Sequence, residues 1–199
     1  MQEGSVEQEQ FNATVPFEFR AGIPVMQVEV NGEKGWLLFD TGAPNVISKE
    51  FAARLNLQAE AKGRINDSGG NSTTGNDYIS LDKFTIGGVS FLNTGGVVQD
   101  LRASDIFKCL NIDGIIGANL MRQAFWKLDY TKETISLSSH INDFALDSTY
   151  MSMPFDVKFT GTPIVDIELA ELTVKKMIFD TGSNGHFSMP LVSLKALQD

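Results

Sequence analysis

The order of hydrophobic and polar positions predicts a chain built mainly of β-strands. Residues 17–20 and 25–30 alternate apolar and polar side chains, as strands with one buried face do. The run 36–39 is continuously apolar and predicts a strand that is buried on both faces. Asn31-Gly32 separates the last two segments and predicts a tight hairpin, because both central residues of a type I′ turn need positive φ.

A short helix is predicted after the apolar run. Residues 46–48 read as a brief strand, and residues 49–55 read as the helix that follows it. Ser48 is the expected N-cap, because its hydroxyl accepts a hydrogen bond from a free amide of the first turn. Glu50 in that turn suits the positive end of the helix dipole.

The tripeptide Asp-Thr-Gly occurs twice, at residues 40–42 and 180–182, each time after an apolar run. Asp40 and Asp180 are 140 residues apart, and the residues before them also correspond. The corresponding segments are 16–18 with 154–156, 22–25 with 161–164, 27–30 with 166–169, and 39–42 with 179–182. A repeat of this length predicts two related lobes rather than a short-period solenoid.

Two carboxylates at corresponding positions of two lobes suggest a chemical role. If Asp40 and Asp180 are held a few Å apart, both cannot ionise cheaply, and they share one proton. The charged member then acts as a general base on water, and the protonated member acts as a general acid. Gly42 and Gly182 are expected to let the two backbones approach closely. This chemistry requires no metal and no cofactor.

A polar, glycine-rich tip lies between two predicted strands downstream of the first Asp-Thr-Gly. It is either a surface hairpin with a mobile tip or a flap that closes over a substrate, and the Asp pair favours the flap. The candidate flap and substrate-binding residues are Ser68, Gly69, Gly70, Asn71 and Tyr78.

Further along, Asp113-Gly114-Ile115-Ile116-Gly117 precedes a short helix, a strand ending at 128–130 and a closing hairpin. This order of motifs resembles one lobe of the aspartic proteases, and it is most similar to the bacterial retropepsin-like aspartyl proteases and their pepsin-like relatives. Residues 16–137 match a whole lobe of that family.

The resemblance implies an all-β fold: a closed β-barrel lobe of the acid-protease type with short helices, followed by the start of a second related lobe. It also implies that Ile115, Ile116 and Gly117 pack beneath the catalytic turn. Thr41 and Thr181 would hydrogen-bond across to the opposite lobe and lock the two turns together.

The expected organisation is a flexible tail over 1–14, a first lobe over 15–137, a linker over 138–153 and the beginning of a second lobe over 154–199. The second Asp has only 19 residues after it, so the second lobe is expected to be incomplete. Asp40 then pairs either with Asp180 of the same chain or with its own copy in a homodimer. In some bacterial proteins of the family that this chain resembles, a PDZ domain follows the protease part.

Composition narrows the class of protein. The chain of 199 residues is 42% hydrophobic and 21% charged, which suits a packed core. Its net charge of −9 makes nucleic acid an unfavourable partner, because phosphate binding needs basic patches. No apolar run approaches the length of a membrane-spanning helix.

Cys109 and His186 are two further residues whose side chains could be reactive. Cys109 has no partner for a disulfide, and its apolar neighbours predict a buried, inert thiol. His186 follows the second Asp-Thr-Gly, but no Cys or second His is near it in sequence, which argues against a metal site.

The expected function is an aspartic endopeptidase that acts on extended peptide segments. The alternatives are a peptide-binding module that keeps the fold without chemistry, and an assembly protein that reuses the repeat. The polar, Gln/Glu-rich start and the habit of the family favour export to the periplasm or the medium, with the cytoplasm as the alternative.

Overall fold

The computed structural model of this chain describes residues 4–66, 72–157, 160–169 and 172–185. The expected all-β fold with short helices is confirmed. The strands are β1 (Ser5–Val6), β2 (Asn12–Pro16), β3 (Glu18–Arg20), β4 (Ile23–Val30), β5 (Glu33–Asp40), β6 (Val46–Ser48), β7 (Ala61–Asn66), β8 (Ser72–Ile86), β9 (Val89–Gln99), β10 (Gly114–Gly117), β11 (Phe125–Asp129), β12 (Thr134–Ser138), β13 (Asp156–Val157), β14 (Pro163–Leu169) and β15 (Leu172–Ile178). The helices are α1 (Lys49–Arg54), α2 (Asp105–Leu110) and α3 (Ala118–Met121), with 3₁₀ turns at Leu101–Ala103 and Ile141–Asp143.

Six strands of the first lobe close into a barrel. The hydrogen-bonded order is β9-β6-β10-β5-β4-β8, and β8 pairs again with β9 to complete the ring. Closure removes most of the free sheet edge and encloses a core. β1, β3 and β7 add to the barrel sheet by pairing with β9, β4 and β8, respectively. β11-β12-β2 and β13-β14-β15 form two further three-stranded sheets among the described strands.

The apolar strand β5 is buried on both faces, as its sequence predicts. Leu37 and Phe39 point into the larger hydrophobic cluster, whereas Leu38 points into a second one. The Asn31-Gly32 turn that leads into β5 has positive φ at both residues, which confirms the predicted hairpin.

Ser48 caps α1 as predicted. Its Oγ accepts a hydrogen bond from the Phe51 backbone N–H at 3.1 Å. The helix ends at Arg54, one residue before the predicted end, and Leu55 is its C-cap.

The predicted flexible tail over 1–14 differs from the structure from Gly4 onward. β1 pairs with β9, and β2, which begins at Asn12, pairs along its whole length with β12. Lys83 forms an ion pair with Glu7 at 2.9 Å. Backbone pairing with distant strands orders this polar segment, although its local composition carries no strong strand signal.

The linker predicted over 138–153 is also partly packed. Ser138 is the last residue of β12 and is fully buried, and its hydroxyl hydrogen-bonds Asp143. Phe144 is buried as well. The connection is therefore tied to the first lobe over its first half.

The prediction of a buried thiol at Cys109 is wrong, because this residue is exposed. On α2 the inner face is taken by Leu110, which is buried, and by the half-buried Phe107. Helical spacing turns Cys109 away from that face. Within the described ranges no helix has the length and apolar character that crossing a membrane requires.

Candidate active site

Each Asp-Thr-Gly turn follows a strand in the same way. Asp40 is the last residue of β5, and Asp180 follows the end of β15 by two residues. The two strands belong to different sheets, so the turns approach each other from the two lobes.

The two carboxyl groups meet between the lobes. Each carboxyl lies against the glycine of the opposite Asp-Thr-Gly turn. A Cβ added to Gly42 would lie 2.6 Å from Asp180 Cγ, and one added to Gly182 would lie 2.3 Å from Asp40 Cγ. Any side chain at either glycine would therefore occupy the space of the opposite carboxyl.

Each carboxylate is also held by its own turn. The Gly42 backbone N–H donates to Asp40 Oδ1 at 2.6 Å, and the Gly182 backbone N–H donates to Asp180 Oδ1 at 2.8 Å. The same bond therefore holds each acid to the glycine two residues after it.

The threonines of the two turns form a reciprocal set of hydrogen bonds. The Thr41 backbone N–H donates to Thr181 Oγ1 at 3.1 Å, and the Thr181 backbone N–H donates to Thr41 Oγ1 at 3.0 Å. The Thr41 hydroxyl donates to the Phe179 carbonyl at 2.7 Å, and the Thr181 hydroxyl donates to the Phe39 carbonyl at 3.0 Å. Four bonds thus link the two lobes directly beneath the acids.

Replacing Thr41 with valine tests this link. Valine keeps the shape of threonine but removes the donor to Phe179 and the acceptor for the Thr181 N–H, so the free energy of unfolding should fall by about 1–3 kcal/mol. Urea unfolding measures the change. Thr14→Val is the control, because its hydroxyl bonds Ser136 in an exposed position; equal losses in the two variants would contradict the proposed strength of the link.

The site raises the pKa of Asp40 to about 7. Burial is the main cause, followed by the charge of Asp180 and the hydrogen bond to it. The backbone N–H groups of Gly42 and Ala43 act in the opposite direction.

This raised pKa predicts a pH-dependent stability. An unfolded Asp titrates near pH 4, whereas folded Asp40 holds its proton until about pH 7, so the folded state binds more protons between these values. The contribution to stability is therefore fully present in acid and is lost as pH rises through about 7. Thermal unfolding across this range should show that Asp40→Asn removes the decline. If the wild type and Asp40→Asn had parallel pH profiles, the shared proton would be ruled out.

The Ile-Ile-Gly segment lies beside the first turn. In β10, Gly117 is the parallel partner of Asp40 in β5, and Ile116 is the partner of Phe39. Ile115 and Ile116 are buried, one in each hydrophobic cluster.

Gly117 itself packs against the loop that follows Asp40. A Cβ at Gly117 would lie 2.0 Å from the Pro44 carbonyl carbon and 2.3 Å from the Asn45 backbone nitrogen. The next residue, Ala118, donates its backbone N–H to the Ala43 carbonyl at 2.8 Å. The glycine is needed here for close approach of two backbones.

The candidate flap residues Ser68, Gly69, Gly70 and Asn71 lie outside the described residues, as does His186. On either side of these flap candidates, β7 and β8 pair with each other up to Asn66 and Ser72.

Tyr78 lies further down the same hairpin. Its hydroxyl donates to the Arg64 carbonyl at 3.1 Å, and its ring lies across Gly63, where an added Cβ would be 2.4 Å from Cε2. Tyr78 also packs at the edge of the second hydrophobic cluster. The ring braces the two strands of the hairpin against each other.

Two contacts between the lobes were missed by the sequence analysis. Thr162 is buried, and its hydroxyl donates to the Gly42 carbonyl at 3.3 Å. The second contact joins the other turn to the other hairpin: Asn184, just after the second Asp-Thr-Gly, donates from Nδ2 to the Ala21 carbonyl at 3.0 Å. The repeat itself was the available signal, since Ala21 and Thr162 lie in corresponding opening hairpins of the two lobes.

The two threonines also border a cavity of about 900 Å³. Thr41, Thr181 and mainly apolar side chains, Trp126 and Phe179 among them, form its walls. The two carboxyl groups do not belong to its lining, so the cavity is distinct from the acid pair. Phe179 is 56% exposed in this wall.

Comparisons with known proteins found a matching family model and similar solved structures. Residues 26–120, just under half of the chain, match a family model described as aspartyl protease. No curated protein matches the chain. Among solved structures, the chain is similar to a retropepsin-like aspartic protease from Rickettsia conorii, with 23% identity, 69% of this chain and 96% of that chain covered, and a TM-score of 0.47. It is also similar to the EIAV protease complexed with the inhibitor HBY-793, with 21% identity, 50% and 86% coverage, and a TM-score of 0.37.

Proposed function

We propose that this chain is an aspartic endopeptidase that hydrolyses peptide bonds with Asp40 and Asp180 as its catalytic pair. The match of residues 26–120 to a family model described as aspartyl protease supports this proposal. The observation that carries the proposal is the close approach of the two turns: each carboxyl lies against the glycine of the opposite turn and accepts a hydrogen bond from the equivalent glycine of its own turn.

The proposed reaction needs one proton shared by two acids. The ionised carboxylate accepts a proton from a water molecule, and the protonated carboxyl donates to the oxygen of the scissile carbonyl. The water oxygen bonds to the carbonyl carbon, which gives a neutral diol. Collapse of the diol breaks the C–N bond. The leaving nitrogen takes a proton from the protonated acid, and one diol hydroxyl gives its proton to the ionised acid, which leaves one proton on the pair again. The raised pKa of Asp40 supports its role as the protonated member near neutral pH.

The arrangement supports an acid pair within one chain. The partner of Asp40 is Asp180 of the same polypeptide, and Thr41 and Thr181 bond each other in the same reciprocal manner. A homodimer that pairs Asp40 with its own copy would have to separate these contacts. We therefore propose the pair within one chain and treat the homodimer as the competing arrangement.

The proposed substrate is an extended peptide segment. It would lie between the acid pair and the β7–β8 hairpin, and its backbone would pair as an added strand while alternate side chains enter pockets. The paired strands of the hairpin and the brace by Tyr78 support this role. The net charge of −9 favours peptides over nucleic acid.

Cleavage of unstructured polypeptide substrates from acidic to neutral pH tests the function. The expected result is hydrolysis that pepstatin inhibits and that declines as pH rises through about 7. Binding of peptides without cleavage under every condition would instead favour a non-catalytic peptide-binding module. Cleavage that pepstatin does not inhibit, and that persists in either Asp→Asn variant, would point to a contaminating protease.

We also propose that the protein acts outside the cytoplasm. The polar, Gln/Glu-rich start of the chain is the observation that motivates this proposal. Fractionation of cells that express the complete gene measures it, and recovery of the protein in the cytoplasmic fraction alone would rule it out.

A further inference from the structure

Two asparagines lie fully inside the first lobe, next to the loop that carries Asp40. Asn45 has no exposed surface and Asn119 is 3% exposed. Asn45 follows the first Asp-Thr-Gly in the loop before β6, and Asn119 lies in α3 just after the Ile-Ile-Gly segment. Polar side chains at such depth must be hydrogen-bonded, because an unpaired buried polar group is costly.

The polar atoms of both side chains have partners. Asn45 Oδ1 accepts from the Gly117 backbone N–H at 2.8 Å, and Asn45 Nδ2 donates to the Gly95 carbonyl at 3.2 Å. Asn119 Oδ1 accepts from the Asn45 backbone N–H at 2.7 Å, and Asn119 Nδ2 donates to the same Gly95 carbonyl at 2.8 Å. The Asn45 carbonyl in turn accepts from the Val97 backbone N–H at 3.0 Å.

These bonds attach one loop to three elements at once. The loop from Asp40 to Asn45 is held to β9 through Gly95, to β10 through Gly117 and to α3 through Asn119. Because Gly117 is also the strand partner of Asp40, a shift of Asn45 would be transmitted to both ends of the loop.

We propose that Asn45 and Asn119 are positioning residues that fix the Asp40 carboxyl within the acid pair. The inference rests on the proposed function in one respect only, namely that the geometry it fixes is used for catalysis. A displacement of about 1 Å at a reacting group lowers rate by roughly 10²-fold, so a buried amide pair that holds the loop would be felt in turnover.

The clamp belongs to one acid of the pair. Applying the 140-residue offset of the repeat, the position that corresponds to Asn45 is Gly185, which has no side chain to make these bonds. The Gly185 backbone N–H instead donates to Ser183 Oγ at 3.2 Å. The asparagine clamp therefore fixes the position of Asp40. The threonine bonds then hold the turn of Asp180 in place relative to the turn of Asp40.

The test compares Asn45→Ala and Asn119→Ala with a core variant remote from the acids. Val89→Ala is the control, since Val89 is buried at the start of β9, six residues before Gly95. The asparagine variants should lower kcat by roughly 10- to 100-fold with little change in KM. Val89→Ala, compared at a temperature where all variants are folded, should keep the wild-type kcat.

Two readouts do not depend on turnover. Carbon-13 titration of the Asp40 carboxyl should change between the wild type and the asparagine variants, and the Gly117 amide should exchange faster with solvent. Val89→Ala should change neither. If one alanine variant does not fold, the other carries the test, because each removes one amide donor to the Gly95 carbonyl.

The outcomes separate the two proposals. If the wild type cleaves no peptide, the proposed function fails, yet the Asp40 titration and the Gly117 exchange still decide whether the asparagines position the loop. Asparagine variants with lower stability but unchanged kcat, Asp40 titration and Gly117 exchange would overturn the positioning role. An equal loss of kcat in Val89→Ala would overturn the positioning role as well.

Discussion

Asparagine in place of either Asp40 or Asp180 should lower kcat for peptide hydrolysis by at least about 10³-fold, because each substitution removes a group that transfers a proton in the reaction. The two losses should be similar in size, since the acids form one pair and neither works without the other. Steady-state kinetics on one peptide substrate measure both variants, with circular dichroism to show that they remain folded.

Asp82→Asn is the matched control for this experiment. Asp82 is exposed on β8 and takes no part in the pair, so its replacement should leave kcat unchanged. A dead Asp40→Asn chain beside an active Asp180→Asn chain would show that Asp40 pairs with its own copy in a dimer. Activity in both variants would exclude the acid mechanism.

Alanine at Gly117 should have the largest effect on stability. Its Cβ would lie 2.0 Å from one backbone atom of the loop after Asp40 and 2.3 Å from another, and backbone atoms cannot move aside as a flexible side chain does. Overpacking of this kind costs about 3 kcal/mol at its upper range. For a chain of this size that loss corresponds to a Tm lower by about 6–12 °C.

Gly96→Ala is the control for Gly117→Ala. An added Cβ at Gly96 would meet its neighbours at 3.5 Å or more, which is ordinary contact in the same barrel. Calorimetry should therefore give a Tm close to that of the wild type for Gly96→Ala and a large decrease for Gly117→Ala. Equal Tm values for the two variants would show that the loop after Asp40 can shift without loss of stability and does not constrain Asp40.

The parts of the site that the sequence predicted are those with a local signal. The acids at 40 and 180 stand in repeated surroundings, so their equivalence was visible without coordinates. The continuous apolar run before Asp40 predicted a strand buried on both faces, and the structure confirms it. The cap at Ser48 was predictable because a helix start depends on residues within one turn.

The parts that escaped prediction depend on partners distant in sequence. β1 and β2 are ordered by β9 and β12, and nothing in their polar composition identifies those strands. Asn45 and Asn119 read as ordinary turn and helix residues until the barrel brings Gly95 between them. The prediction for Cys109 fails because residues adjacent in a helix face different directions: Leu110 and Phe107 pack in the second cluster, whereas Cys109 is exposed.

The most direct test of the account is a carbon-13 titration of the carboxyl groups of Asp40 and Asp180 in the wild type and in each Asp→Asn variant. We expect the Asp40 carboxyl of the wild type to hold its proton until about pH 7. Removing Asp180 should lower the pKa of Asp40, because the second cause of its rise is the charge of Asp180. Independent titration of the two acids, each unaffected by loss of the other, would contradict the account.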